Sequence, residues 1–445
     1  MKMPESIEVT GGPITLVFSN SGRAFFSERI TGNIWEIIEF EKYKLIKNFP
    51  VVDISGHHET GLLGITLDIN FDKNGLIYAY YTEGKNIKQA NNKVVRFSIN
   101  DGKEKVLISG IPAGRIHNGG IIKFGPDGKL YVGTGIDNPI AEKSQDKDNL
   151  GGKILRINSD GSIPDDNPFK NSPVYSYGHR NIFGLAFNPK NNKLYVSDVG
   201  AETDDEINII EPGGNYGWPK FRGYTNEPNI INPITKYTPT ITPTQSIFYN
   251  DELYFASYNQ GTVHKLTLSQ DGLKVVSDTI VYQGKPFDVT GVFISPEKEF
   301  FITTTNKIKK IKLNGGIQKV KKRSIIWIIV ILAILILGIG AYFMFNNNYG
   351  TPVNDTTNNN QTTIPGTISI QNLAFSPATI TINKGDTVTW KNNDSTIHNV
   401  VADDNSFNLE EMVAGGSASY TFNNEGTFSY HCSIHPYMTG VIIVK

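Results

Sequence analysis

The residue types best suited to redox chemistry lie close together near the C-terminus. Cys432, His435 and Met438 fall within seven residues, and His398 lies about 34 residues upstream. Two imidazoles and a thiolate in a trigonal arrangement, with a weak axial thioether, let copper change oxidation state with little reorganisation. A zinc site and a chance cluster are the alternatives, but zinc seldom takes methionine. We therefore predict a blue-copper site, with His431 on the opposite side of its strand and not ligating.

The chain around these ligands predicts the scaffold that must hold them. Residues 367–445 alternate apolar and polar residues, as in a small antiparallel sandwich. The segment 430–438, Asn399 after the first histidine and Gly440 before the closing strand resemble the plastocyanin-like cupredoxins. The resemblance implies a Greek-key cupredoxin β-sandwich, a copper cofactor and electron transfer with an external electron donor or acceptor.

An aromatic-rich strand followed by alternating basic and apolar residues recurs about six times in the first part of the chain. The spacing of about 50 to 65 residues suits a four-stranded sheet, and radial repetition of such sheets is a β-propeller. We predict a mostly β fold with a six-bladed β-propeller over residues 1–318; two β-sandwiches are the alternative. The copies begin near Arg23, Leu76, Leu130, Leu194, Leu253 and Phe300.

Several segments of this region resemble the soluble aldose dehydrogenases that use pyrroloquinoline quinone (PQQ). The resemblance implies that His117 takes the proton from the sugar's anomeric hydroxyl while hydride passes to the quinone. The segments are Gly61–Gly64, His117–Gly120, Gly125–Tyr131, Leu150–Ile157, Ser176–Asn181, Asp205–Asn208 and Asn215–Pro219.

The same resemblance implies the cofactor contacts. Arg180 is implied as a catalytic cation, and Arg180, Asn181 and Lys285 match residues near the quinone. Backbone carbonyls of Gly200 and Ala201 match those that hold a calcium ion, which polarises the quinone carbonyl as a Lewis acid.

Some positions depart from the family pattern. Lys285 stands where the family places two arginines against the quinone carboxylates, and Asn259 replaces a lysine. In the family an acid partners the histidine, but Ile136 occupies that position in this chain. Asp137 comes one residue later and would face the other way if the strand continues. A non-catalytic binding or scaffold module is therefore an alternative to a PQQ-dependent sugar dehydrogenase.

Composition bounds the remaining possibilities. The net charge is −1 with 19% charged residues, which does not indicate nucleic-acid binding, and the single cysteine excludes an internal disulfide. Residues 324–345 carry no charge and predict one transmembrane helix, with a buried core helix as the alternative. Residues 346–366 are rich in Asn and Thr and predict a flexible linker.

Charges beside the predicted helix predict its orientation. The basic residues before it favour a cytoplasmic propeller, and the far side, with the copper domain, is then extracytoplasmic. If the start codon has been placed too late, the side of the membrane on which the propeller lies is undetermined. We expect a membrane-anchored redox protein in which sugar oxidation is coupled to copper electron transfer, and a membrane-anchored copper carrier is the alternative. The basic residues are Lys319, Lys321, Lys322 and Arg323.

Overall fold

The computed structural model of the protein contains two compact units, Met1–Ile328 and Ile329–Lys445, and each is described here by itself. The boundaries of the propeller and the cupredoxin domain given above stay predictions. The structure describes residues 3–39, 42–52, 59–201, 203–313, 366–371, 374–394, 398–404, 406–413, 415–432 and 438–445.

The first unit consists of six four-stranded antiparallel sheets. The first two sheets are β2–β5 (Pro13–Phe18, Ala24–Glu28, Asn33–Glu39, Lys42–Asn48) and β6–β9 (Leu62–Leu67, Leu76–Glu83, Asn91–Ser98, Glu104–Pro112). The next two are β10–β13 (Gly119–Phe124, Leu130–Thr134, Lys153–Ile157, Val174–Tyr177) and β14–β17 (Ile182–Phe187, Leu194–Asp198, Asp205–Ile210, Thr235–Tyr237). The last two are β18–β21 (Pro243–Tyr249, Glu252–Ser257, Thr262–Leu268, Val275–Gln283) and β22–β24 (Val289–Ile294, Phe300–Thr304, Lys307–Ile311) with β1 (Ser6–Glu8).

The sheets follow one another around a common centre. Their first strands contact each other in the order β2, β6, β10, β14, β18 and β22, and β22 contacts β2. Strand β1 pairs with β24, with Ile7 opposite Ile308, so the chain's first strand completes the sheet formed by its last three. Helical structure among the described residues of this unit is short: α1 (Phe71–Asn74) and two 3-10 turns (Ile87–Gln89, Asn138–Ser144).

The recurring aromatic-rich segments of the sequence are the second strands of these sheets. Strands β3, β11, β15 and β23 are buried at every residue. Burial on both faces favours apolar residues, and each of these strands begins with three of them, which explains why the strands stand out in the sequence.

The predicted fold class was wrong in two respects. Among the residues the structure describes, no helix is long and apolar enough to span a membrane, and the predicted helix 324–345 lies outside them, as do residues 346–365. The six sheets are also separate and do not join into a closed sheet, so the unit is propeller-like. The physical reason for the first error is that a long apolar run reports hydrophobicity and not conformation. The location predicted for each domain depended on that segment and stays a prediction.

The second unit is a sandwich of two sheets. Trp390 and Tyr430 are fully buried between them and meet edge to face with ring centroids 5.4 Å apart. One sheet has the order β26-β25-β28-β31 (Ala374–Ser376, Thr367–Gln371, Thr387–Asn392, Ser417–Thr421). The other has the order β27-β33-β32-β29-β30 (Thr379–Ile382, Thr439–Val444, Gly426–His431, His398–Ala402, Asn408–Met412).

Candidate redox sites

Two of the four predicted copper ligands meet in the second unit. His398 begins β29 and Cys432 directly follows β32, and these strands pair with Val401 opposite His431. The distance between His398 Nδ1 and Cys432 Sγ is 3.7 Å, and both side chains are fully buried. A soft thiolate and an imidazole so close in a dry core are suited to form half of the predicted blue-copper ligand set.

The other two predicted ligands, His435 and Met438, come between β32 and β33 in the sequence. Met438 is buried, and its carbonyl accepts a hydrogen bond from the backbone N–H of Cys432 at 3.0 Å. That bond ties the two ends of the loop together next to the thiol. His435 lies outside the described residues. The four-ligand copper set therefore stays a prediction.

Polar groups lie next to the thiol of Cys432 and next to His431. The backbone N–H of Asn399 lies 3.5 Å from Cys432 Sγ, within hydrogen-bonding range of a sulfur acceptor. A donor to a thiolate stabilises its negative charge and tunes the bound metal. His431, predicted not to ligate, is about one-third exposed and its Nδ1 lies 2.6 Å from Asp403 Oδ1.

Asp394 is a residue of this site that the sequence reasoning missed. Its Oδ2 lies 3.0 Å from His398 Nε2, the nitrogen on the far side of the ring from Cys432. Burial lowers the pKa of His398, and the carboxylate of Asp394 opposes that shift. A carboxylate on the outer nitrogen fixes the tautomer in which Nδ1 is left for a metal.

Replacing Asp394 by asparagine is expected to raise the reduction potential of the bound copper. Oxidised copper carries one more positive charge than reduced copper, so a carboxylate joined to its ligand stabilises the oxidised state. We expect a rise of roughly 30 to 60 mV, which corresponds to about 1 kcal/mol for a one-electron couple. Protein-film voltammetry of the copper-loaded protein measures it.

Asp403→Asn provides the matched control, because Asp403 makes the same kind of contact with His431, which is not a predicted ligand. Its side chain is also about half exposed, so solvent screens its charge. An equal shift in the two variants would show that the effect is a general loss of negative charge and not a contact of His398.

A cavity of about 480 Å³ opens at the centre of the first unit. All six first strands, or the residues beside them, contribute to its wall. The six sheets therefore surround this cavity. Its size suits a small cofactor or substrate. The residues that line the cavity include Arg29, Glu59, Leu63, Gly119 and Tyr258.

Two glycine-containing segments pack directly against each other in this wall. A side chain on Gly64 would meet the carbonyl of Gly120 at 2.2 Å, and one on Gly120 would meet the Leu63 side chain at 2.3 Å. Gly120 also has a φ of 110°, which favours glycine. The close approach explains why glycine stands at both positions, and it fixes the loop that carries His117.

His117 is held in an uncommon conformation beside the cavity. Its φ is 58°, in the left-handed region that non-glycine residues seldom adopt. Its Nε2 lies 2.8 Å from Arg180 Nη2, so Nε2 accepts that hydrogen bond and the proton of the neutral ring is on Nδ1. Burial, followed by the charge of Arg180, lowers the pKa of His117 to about 3, and a contact with the backbone of Ile136 opposes this.

Asp137 lies nearer to His117 than the sequence indicated. Strand β11 ends at Thr134, and Asp137 precedes a 3-10 turn, so strand alternation does not apply to it. Its Oδ1 is 4.0 Å from His117 Nδ1, an ion-pair distance and too long for a hydrogen bond.

Arg180 contacts one of the two carbonyls that were predicted to bind calcium, that of Gly200. Its Nη1 donates to the carbonyl of Val199 at 2.9 Å and to that of Gly200. A guanidinium on the Gly200 carbonyl repels a second cation. The described residues also contain no group of three or more His, Cys, Asp or Glu side chains that could hold a metal ion. The predicted calcium site at the carbonyls of Gly200 and Ala201 stays a prediction.

Asn181 links the predicted residues to two acids that the sequence reasoning missed. Its Nδ2 donates to Glu59 Oε2 at 3.2 Å and its backbone N–H donates to Asp198 Oδ1 at 2.8 Å. Asp198 also faces buried His179, whose Nδ1 lies 3.1 Å from Asp198 Oδ2. Lys285, in contrast, is exposed and is not part of the cavity wall among the described residues.

Both parts of the chain match known families. Residues 11–310 match the glucose/sorbosone dehydrogenase family, and residues 363–445 match the copper-binding proteins of the plastocyanin/azurin family. An uncharacterised protein of Synechocystis sp. is 34% identical over 48% of this chain, and quinoprotein glucose dehydrogenase B of Acinetobacter calcoaceticus is 33% identical over 48%. The matches span 59% and 52% of those two proteins.

A solved structure and a copper protein extend these similarities. The PQQ-bound aldose sugar dehydrogenase of Streptomyces coelicolor is 28% identical with a TM-score of 0.60, covering 68% of this chain and 97% of that one. Amicyanin of Paracoccus versutus is 31% identical over 83 residues, which are 18% of this chain and 63% of amicyanin. Because the first match spans more than half of its length, this chain belongs to the glucose/sorbosone dehydrogenase family and ends in a copper-binding domain of the plastocyanin/azurin family.

Proposed function

We propose that this protein oxidises an aldose with a PQQ cofactor held by its propeller-like unit, and that its copper domain passes the electrons onward. The observation that carries the electron-transfer half is the 3.7 Å distance between His398 Nδ1 and Cys432 Sγ in a buried site. Relatives described as a quinoprotein glucose dehydrogenase and a PQQ-bound aldose sugar dehydrogenase support the oxidising half.

The cavity supports a bound quinone through its size and its lining. When bound, the quinone supplies a two-electron acceptor. Arg29 places a cation in the wall, where it can pair with a carboxylate of the cofactor. Arg180 adds a second cation beside His117, and its guanidinium lies 5.3 Å from the centre of the Trp218 ring. In this proposal Arg29 takes the part that was predicted for Lys285, and Arg180 keeps the part predicted for it.

The electron count requires a further partner. Oxidation of one hydroxyl to a carbonyl releases two electrons and two protons, whereas one copper site takes one electron. Each sugar therefore reduces the copper twice, with an external acceptor reoxidising it in between. An external electron partner for the copper domain is thus part of the proposal.

Arg180→Gln tests the oxidising half. A guanidinium next to His117 would stabilise negative charge on a bound quinone, so its loss is expected to lower aldose-dependent dye reduction about 100-fold. Reduction of the copper by ascorbate, followed as loss of the blue absorption, should not change. The assay uses the full chain loaded with copper and PQQ, across an aldose panel and with and without calcium.

Arg222→Gln is the control for this variant, since Arg222 also lies over the Trp218 ring, at 5.0 Å. We expect it to retain dye reduction within about threefold, because the hydrogen bond to His117 Nε2 comes from Arg180. Equal losses in the two variants would show that stacking on the tryptophan and not the contact with His117 is responsible.

A second candidate function is a copper electron carrier whose propeller-like unit is a non-catalytic binding module. Two observations favour it: Lys285 lies outside the cavity wall, and the Gly200 carbonyl faces Arg180. An absence of turnover on every aldose, together with PQQ binding no tighter than in Arg180→Gln, would select this function.

A further inference from the structure

A second cavity, of about 160 Å³, is formed by turns of the fourth and fifth sheets of the first unit. Strand β14 begins beside the central cavity, which Phe183 lines, and ends directly before Asn188, which lines the second cavity. A strand of six residues spans roughly 17 Å, so the two cavities lie at opposite ends of β14. They share no lining residue. The second cavity is therefore separate from the proposed site of sugar oxidation.

Three turns form the wall of the second cavity, and the protein itself holds them together. They are the turns between β14 and β15, between β18 and β19 and between β20 and β21. The hydroxyl of Tyr195 donates to the carbonyl of Gly272 at 2.5 Å, and Asn191 Nδ2 donates to the carbonyl of Asp271 at 3.0 Å. A side chain on Gly272 would meet the Tyr195 hydroxyl at 2.8 Å, and the φ of 78° favours glycine there. These contacts join the two sheets and fix the shape of the cavity.

Glu252 lines the second cavity with a carboxylate whose hydrogen bonding is incomplete. Its Oε1 accepts a hydrogen bond from Thr267 Oγ1 at 3.2 Å, whereas its Oε2 is buried and has no partner among the residues that the structure describes. A buried carboxylate oxygen is destabilising unless a donor reaches it. The last torsion of a glutamate side chain is soft, so a small rotation turns an oxygen towards the cavity. The cavity therefore presents an acceptor to a donor on its occupant.

The other polar groups of the wall decide which charge an occupant can carry. Lys190 Nζ pairs with Asp251 Oδ2 at 3.0 Å, and both side chains are about half exposed. The ammonium repels a cation, and the carboxylates of Asp251 and Glu252 repel an anion. Asn188 is buried, and its Nδ2 makes a long contact of 3.5 Å with Tyr195 Oη, so the amide keeps the capacity to donate. A hydroxyl group both donates and accepts, so a neutral polyhydroxylated molecule matches this wall.

We propose that the second cavity binds one sugar unit without oxidising it. Its volume corresponds to roughly five water molecules, which is the space of a single small sugar. One sugar hydroxyl donates to Glu252, and a neighbouring hydroxyl accepts from Asn188 and Lys190. The inference does not depend on the proposed function, because no residue of the central cavity takes part. Such a site raises the local concentration of the protein at a carbohydrate that carries several sugar units.

Methyl α-glucoside is the probe for this site, because it has no anomeric hydroxyl and is not oxidised at that carbon. Saturation-transfer NMR titration of the full chain, loaded with copper and PQQ, is expected to give a Kd on the order of 1 mM. Glu252→Gln keeps the shape but replaces the charged acceptor, so it should weaken binding about tenfold. Lys190→Met changes a half-exposed side chain that folding does not require, and it should weaken binding about threefold. The control is Glu297→Gln, with unchanged affinity, because Glu297 is exposed in the corresponding turn of the next sheet, between β22 and β23.

Three results would overturn the inference. The first is an absence of glycoside binding, or equal affinity in the wild type, Glu252→Gln and Lys190→Met. The second is binding that the protein loses when PQQ is added, because that would place the glycoside in the central cavity. The third is binding of calcium without binding of the glycoside, lost in Glu252→Gln, which would assign the cavity to a cation. A protein that oxidises no aldose contradicts the proposed function alone, because glycoside binding is measured without turnover.

Discussion

Cys432→Ser is expected to abolish the blue absorption of the copper-loaded protein completely. That colour requires a thiolate bound to copper, and Cys432 is the single cysteine of the chain. The thiol lies 3.7 Å from His398 Nδ1 in a fully buried site. A solvent-exposed side chain is therefore not positioned to take the place of the thiolate in the variant. A serine oxygen is a hard ligand and leaves a weaker site without the charge-transfer band. Visible and electron paramagnetic resonance spectra after copper loading measure the result.

His431→Gln is the control for the copper assignment, because His431 is adjacent to Cys432 yet contacts Asp403. The copper-loaded His431→Gln variant should keep its blue absorption. Blue absorption surviving in Cys432→Ser, or vanishing in His431→Gln, would contradict the ligand set. Folding of both variants is checked by the fluorescence of Trp390, which is buried in the core of the same domain.

The contact between Cys432 and Met438 was predictable because most of the predicted copper ligands lie within one short segment. Residues a few positions apart at the two ends of a tight loop lie close together. The contact of Cys432 with the backbone of Met438 follows from that spacing. The contact of Asp394 with His398 was not predictable in the same way. An aspartate four residues before a histidine has many orientations, and the turn that brings them together leaves no periodic pattern.

The strands of the propeller-like unit were predictable to different degrees. Second strands such as β11 and β15 are buried on both faces and read as apolar runs. First strands line the cavity and carry glycine and polar residues, for example Gly119 and Thr244, so their pattern is weak. The six recurring segments therefore located the sheets but not the strands that form the site.

The contacts of Glu59 show what sequence spacing leaves out. It contacts His117, 58 residues away, and Asn181, 122 residues away. Such contacts depend on how three sheets pack around the centre, and no local pattern encodes them. The turn after Thr134, which brings Asp137 towards His117, is a similar case, because the end of a strand cannot be placed to one residue from propensities.

Lys153→Met is expected to lower the free energy of unfolding of the first unit by about 3 kcal/mol. Lys153 is fully buried, and its Nζ donates to the carbonyls of Lys143, Ser144 and Gly151 at 3.1, 2.8 and 2.6 Å. These carbonyls belong to the connection between β11 and β12, which also carries Asp137. Methionine fills a similar volume but leaves the carbonyls without a charged donor. Urea denaturation, followed by fluorescence below neutral pH, measures the change.

Lys105→Met separates this effect from a general loss of a lysine. Lys105 Nζ also donates to a backbone carbonyl, that of Asp160 at 2.8 Å, but the bond is exposed. Water replaces an exposed donor, so the change in unfolding free energy should stay within about 0.5 kcal/mol. A loss for Lys153→Met no larger than that of Lys105→Met would mean that the cost of burying the ammonium offsets its three hydrogen bonds. The connection that carries Asp137 would then be held by its backbone turns, and the position of Asp137 beside His117 would not depend on Lys153.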